Sequence, residues 1–293
     1  MAIYDCFTFF NELELLDIRL NILNDYVDKF VLVEAVKTFS NKDKELYYQN
    51  NKERFKKFED KIIHVIVDDF PKTDNAWVIE SHQRNAISRG LTQCKDDDTI
   101  IISDLDEIPN HKAILRYKNR PGIKAFKQKV FWYYLNNLST DTWYHAKMCS
   151  YKDFKHALDD WNEYSEYLPR EGNSGTTASK IRMCKKYKVI KNGGWHFSYL
   201  GSAEQIALKI KSFSHQEFNS EEFNSVEKIK ERIAAGKELF DRPGKTFKKV
   251  KITKRDYPAY IYKNREAFKD YILPDTSLCA KISLWLQTVK GAL

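Results

Sequence analysis

The chain has 293 residues, 42% of them apolar and 31% charged, and 49 Lys+Arg against 41 Asp+Glu leave a net charge of +8. That is enough apolar chain for one large domain, and the 14% aromatic content excludes a disordered tail protein. No apolar run is long enough to cross a bilayer, and Met1-Ala2-Ile3-Tyr4-Asp5 does not resemble a signal peptide, so a cytoplasmic location is expected. The five cysteines (Cys6, Cys94, Cys149, Cys184, Cys279) have no metal-ligand spacing and read as free thiols. Charge is lopsided, −4 over residues 1–120 and +12 over 121–293. The basic half reads either as a solvated surface or as a face for a phosphorylated ligand, nucleic acid or a membrane.

The first hundred residues alternate between strand and helix signals. Residues 3–10 read as a strand running into Asn11, a helix N-cap, with Glu12 and Glu14 at the favourable end of the helix dipole. Leu13, Leu16, Leu20 and Leu23 then recur at helical spacing. Residues 29–34 and 62–67 are short apolar strands, residues 77–91 a helix ending near Gly90, and residues 99–103 a fourth strand, apolar throughout. This βαβ rhythm predicts an α/β domain whose ligand crevice lies at the carboxyl ends of its strands. Beyond Pro121-Gly122 the pattern changes, with strands expected over 125–134, 144–154 and 180–190. A flexible loop, Glu171 to Thr176, lies before the last of these. Ser202 to Gln205 has capping-box spacing and opens a helix to about Phe213.

The segment richest in chemistry is Ser103-Asp104-Leu105-Asp106-Glu107-Ile108-Pro109, three carboxylates directly after the fourth strand. It can be a solvated turn. If extended, Asp104 and Asp106 point the same way and can share a divalent cation, with hard oxygen ligands suited to Mg²⁺ or Mn²⁺. Glu34 and Asp68 end the second and third strands and could face the same crevice, while Asp96-Asp97-Asp98 reads as a solvated turn. His196 in Gly193-Gly194-Trp195-His196-Phe197-Ser198-Tyr199 is either a packed core histidine or a further cation ligand, beside glycines that permit close approach to a ligand. His215 and Glu217 could meet phosphate or acceptor, and Arg84 and Arg89 could neutralise a diphosphate or pair with surface acids.

These segments together resemble glycosyltransferase family 17. The matching stretches are Tyr4 to Leu20, Phe30 to Glu34 with Thr38-Phe39, Gln83 to Ile87 with Arg89 to Leu91, Ser103 to Pro109, and Gly194 to Tyr199. The resemblance implies a GT-A type nucleotide-sugar-binding fold, a Rossmann-like, mostly parallel sheet with a mixed second half. It would be one domain, with 1–120 as the nucleotide-binding half and 121–293 as an acceptor-side half ending in helices. It also implies a UDP-sugar donor, UDP-GlcNAc, a Mn²⁺ or Mg²⁺ cofactor, a glycan acceptor and inversion at the anomeric carbon. No nucleic-acid partner is expected. Asp104, Asp106 and His196 would hold the metal, and Glu34, Asp68, Arg84, Arg89 and Asp104 would surround the donor. Glu163, Glu171 or Glu217 would deprotonate the acceptor, and the Gly172–Gly175 loop would close over the site. Two other readings compete. A phosphatase would want its Asp-x-Asp on the first strand, and here it follows the fourth. A non-enzymatic carbohydrate- or RNA-binding protein would use Trp132, Tyr133, Tyr134, Trp143 and Trp161 beside the basic half.

Overall fold

A computed structural model describes residues 1–156 and 177–274. Its first half is the parallel sheet that the sequence predicts. Strand β1 (Ile3–Phe9) is followed by helix α1 (Leu13–Leu23), β2 (Lys29–Ala35), the short α2 (Tyr47–Asn50), β3 (Ile62–Val67), α3 (Ala76–Asn85) and β4 (Thr99–Asp104). β1 pairs in parallel with both β2 and β4, and β2 with β3. Alternate residues feed different cores. Phe7 and Phe9 join Leu16, Leu20 and Phe30 on one face, and Tyr4 and Cys6 join Val31, Ile87 and Ile102 on the other. Both faces are covered, so the strands are apolar without alternation.

The second half is mixed. It runs through β5 (Glu107–Pro109), α4 (His111–Tyr117), β6 (Lys124–Trp132), β7 (Asn137–Trp143), β8 (Lys147–Ser150), α5 (Tyr151–His156), α6 (Thr177–Met183) and β9 (Lys188–Ser198). There follow α7 (Ala203–Ser212), α8 (Glu221–Asn224), α9 (Val226–Ala234), β10 (Phe247–Lys249) and α10 (Ala259–Lys263). β8 joins β4 antiparallel, and β6 carries β7 and β8 antiparallel and β9 parallel. β5 then clips onto β9 with Glu107 opposite His196. This one register brings the acidic turn and the histidine strand, ninety residues apart in the chain, to the same sheet rim. The resulting architecture is the α/β arrangement expected from the sequence, a parallel first half with a mixed second half.

Several local expectations are corrected. Residues 180–190 are not one strand: α6 ends at Met183 and β9 begins at Lys188. The 144–154 strand shrinks to β8, and the chain turns helical at Tyr151. Asn11 does not cap α1; Glu12 holds the cap position with no side-chain cap bond. Asp98 is buried and accepts from the Ala2 and Lys95 amides, because the chain terminus needs an anchor on the sheet. Gly193 and Gly194 serve the sheet rather than a ligand. A Cβ on Gly193 would lie 2.6 Å from the Lys127 nitrogen of β6, and one on Gly194 2.2 Å from the Ile108 oxygen of β5. Side chains there would push apart the strands that position His196. The capping box is as expected, with Gln205 N–H donating to Ser202 Oγ and the Ser202 amide donating to Gln205 Oε1.

Candidate active site

Beneath the acidic turn lies Arg19 of α1, fully buried against an equally buried Asp5 of β1. Its guanidinium donates to both Asp5 oxygens, at 2.8 and 2.6 Å, and to Ser103 Oγ at 2.6 Å. Its Nη1 also donates to the backbone oxygens of Asp104, Leu105 and Glu107 at 2.9, 3.0 and 3.1 Å. A turn of three acids thus has its carbonyls fixed from below by one cation, whose five donors in a rigid fork suit the task.

The carboxylates have separate fates. Glu107 is buried and carries a bidentate pair with Arg182 of α6, at 2.6 and 2.7 Å, and a bond from the Trp143 indole N–H. Burial pushes its pKa up, but the Arg182 guanidinium outweighs that and holds it at about 2. Asp104 accepts from Arg84 at 2.8 Å and from Arg182 at 2.5 Å. Burial, with Glu107 and Asp106 nearby, raises its pKa against the pull of the two arginines. Asp106 faces Lys209 of α7 at 3.1 Å through Oδ2 and His196 Nε2 at 3.6 Å through Oδ1. Burial opposes its ionisation, yet Lys209 and His196 keep it well below the usual carboxylate range. Lys209 also reaches Glu12 at 3.1 Å. Burial would lower its pKa, but the two carboxylates raise it, so it stays a fixed cation.

Arg84, Asp104, Asp106, Arg182, His196 and Lys209 line a cleft of about 500 Å³ at the carboxyl ends of β1 and β4. Phe10, Lys44 and Trp77 also line it, together with Trp132, Trp143, Tyr199 and Phe240. Trp143 packs on the His196 ring at a centroid distance of 4.6 Å.

Of the predicted site residues, Arg84, Asp104, Asp106 and His196 meet in this cleft, as does His215. Glu34 is fully buried outside it, accepting from the Tyr48 and Gln49 amides at the start of α2 and facing His64 at 3.0 Å. Asp68 is exposed and does not line the cleft, and Arg89 is spent on Asp69 at 2.7 Å. Glu217 lies off the cleft, exposed and paired with His215 at 2.7 Å. Glu163, Glu171 and the Gly172–Gly175 loop lie outside the described residues. For the competing binding-surface reading, Trp132 and Tyr133 are buried, 4% and 2% exposed, Tyr134 and Trp143 are half-buried, and Trp161 lies outside the described residues.

Sequence reasoning missed Arg182, Lys209, Glu12 and the pairing of Glu107. Arg182 was hidden because its segment reads as strand. Lys209 had one available signal: it borders the buried stripe of Ala203, Ile206 and Ile210 on α7, where a cation calls for an acid from elsewhere.

The donor set suits a divalent cation with two protein ligands. Asp106 Oδ1 and His196 Nε2 face each other at a separation longer than a good hydrogen bond, and oxygen with imidazole suits Mn²⁺. Asp104 does not fit as a third ligand, since two arginines hold its oxygens. Among the described residues no three His, Cys, Asp or Glu side chains are grouped to hold a metal. Such two-ligand sites are typical of cations whose other positions go to water and substrate phosphates.

An α/β fold with a charged cleft at the carboxyl ends of its strands suits an enzyme that acts on a phosphorylated ligand. The sequence places it more narrowly: the profile of glycosyltransferase family 17 matches residues 1–280, and the chain belongs to that family. Human beta-1,4-mannosyl-glycoprotein 4-beta-N-acetylglucosaminyltransferase is 29% identical over 120 residues, 38% of this chain and 22% of that protein. Its rat counterpart matches to the same extent, so the match spans about a fifth of the length of these curated relatives. Among solved structures, a mannosyltransferase of Pyrobaculum calidifontis in complex with GDP-Man and Mn²⁺ is similar with a TM-score of 0.39 and 11% identity, covering 100% of this chain and 81% of that one. Among the described residues no helix is long and apolar enough to cross a membrane, and Cys6, Cys94, Cys149 and Cys184 are free thiols.

Proposed function

We propose that the protein transfers GlcNAc from UDP-GlcNAc to a hydroxyl of a glycan, inverting the anomeric centre, with Mn²⁺ or Mg²⁺ as cofactor. The observation that carries this reading is the Asp106–His196 pair at the cleft floor. It offers one carboxylate oxygen and one imidazole nitrogen, with fixed cations around it. Asp106 and His196 would hold the ion, which when bound neutralises charge on the departing diphosphate. Lys209, which is fixed as a cation by Asp106 and Glu12, is available to the same phosphates. Arg84 and Arg182 keep Asp104 and Glu107 in place, so the acidic turn keeps its shape as the phosphates enter and leave. Trp143 and Tyr199, which also line the cleft, suit the apolar face of a sugar ring. The named activity of the human relative suggests a mannosyl acceptor.

The test is a thermal-shift panel of nucleotide sugars with and without Mn²⁺, followed by transfer to a synthetic β-mannoside. UDP-GlcNAc should raise Tm only when the metal is present. An equal shift in EDTA would remove the metal from the reading. Salt-sensitive RNA binding with no donor affinity would replace the reading altogether.

A further inference from the structure

Among the described residues five carboxylates line the cleft: Glu12, Glu80, Asp104, Asp106 and Asp141. Four are committed to the acidic turn or to its cations. Glu12 and Asp106 share Lys209, Asp104 is clamped by Arg84 and Arg182, and Glu80 pairs with Arg84 at 2.5 Å and accepts from Ser214 Oγ. Asp141 differs. It sits on β7, and its ion pair, from Oδ2 to Lys245 at 2.9 Å, is with a cation that does not hold the acidic turn. Along β7 the exposed Thr140 and Thr142 alternate with the more buried Ser139, Asp141 and Trp143, so Asp141 shares a face with Trp143. The Trp143 ring in turn packs on His196. A break in the β6–β7 register between Lys129 and Phe131 lies beside this face, the kind of irregularity that re-aims side chains at sites.

We infer that Asp141 is the catalytic base of the transfer reaction, which rests on the function proposed above. The Asp141 carboxylate takes the proton from the acceptor hydroxyl. The acceptor oxygen bonds to the anomeric carbon as the bond from that carbon to the diphosphate oxygen breaks, and the electron pair leaves with UDP.

The experiment compares the full chain with Asp141→Asn and Asp141→Glu, using UDP-GlcNAc, Mn²⁺ and a β-mannoside, with Glu163→Gln and Glu171→Gln in parallel. D141N should bind UDP-GlcNAc with an unchanged thermal shift and donor KM, while kcat falls on the order of 10²–10⁴-fold. D141E should keep part of the rate. Azide, a nucleophile that carries no proton to remove, should restore donor turnover in D141N as the glycosyl azide. Three results overturn the assignment: a D141N rate within about threefold of wild type, a loss of donor binding in D141N, or the azide-rescued loss appearing in E163Q or E171Q instead. If wild type neither binds nor turns over UDP-GlcNAc, the proposed function itself fails, and that outcome is read before any variant.

Discussion

The two halves of the sheet handle charge in opposite ways. In the parallel half, Arg19 and Asp5 are both fully buried and neutralise each other, with Ser103 and three carbonyls of the acidic turn completing the arginine's bonds. In the mixed half, Lys209 and Arg182 extend from helices into the cleft to meet Asp106, which follows β4, and Asp104, which ends it. The parallel half supplies Asp104, Asp106 and Arg84, and the mixed half supplies Arg182, Lys209 and the histidine around them. A buried, fully bonded pair resists change, whereas ion pairs across a cleft can exchange partners when a charged ligand enters. The site is therefore a junction, built where the acidic turn that leaves β4 is pinned, through β5, onto β9 of the mixed half.

Breaking the junction should have the largest effect. Asp106→Ala removes the one carboxylate that faces both His196 and Lys209, and transfer should fall on the order of 10³-fold or more. Its unfolding midpoint should change little, because Lys209 retains Glu12. Steady-state transfer rates and thermal melts of the same samples separate the two effects. Near-normal turnover would mean that the reaction does not use the junction. Arg19→Ala tests the other half. It strands the Asp5 carboxylate in the core and releases three carbonyls, so stability should drop by about 3–5 kcal/mol in denaturant titrations. A smaller loss would show that the turn does not depend on that pair.

The same contrast explains what could be read from the sequence. β1 to β4 were legible because each is apolar on both faces and sits between helical repeats, a local pattern. Asp104 and Asp106 were legible because they follow a buried strand, and His196 because of its aromatic setting. Glu34 misled for a local reason: the end of a parallel strand is a good place for a ligand, but it also lies beside the start of α2, whose amides need an acceptor. Gly193 and Gly194 misled likewise, since close approach of a strand and of a ligand leave the same signature. Arg182, Lys209 and Asp141 reach the cleft through pairings between distant segments, and no pattern within a window of the chain encodes those.

A pH experiment sharpens the comparison with a smaller effect. His145, on the cleft wall after β7, is held neutral mainly by burial and also by the Arg182 charge, with its pKa lowered to about 4. The unfolded chain takes up that proton near pH 6.5, so between pH 6.5 and 4 it binds more protons than the folded one. Stability is therefore lost as pH falls through that window. From pH 7 to pH 5 the loss traceable to His145 should be on the order of 2 kcal/mol. His145→Gln should flatten that part of the curve, and identical slopes in both proteins would show that His145 takes up its proton freely in the cleft.

The smallest expected effect concerns the helix that carries Lys209. Ser202 and Gln205 satisfy each other's amides at the start of α7, so Ser202→Ala should cost about 1 kcal/mol. The cap lies seven residues, two helical turns, before Lys209, and Ile206 and Ile210 hold the helix in its own core against α9. If the mixed half is anchored by that core, S202A should lower the unfolding midpoint and leave the metal requirement and donor KM unchanged. If donor KM rises in step with the stability loss, the lysine is instead positioned by the helix terminus, and the cleft cations are only as rigid as the first turn of α7.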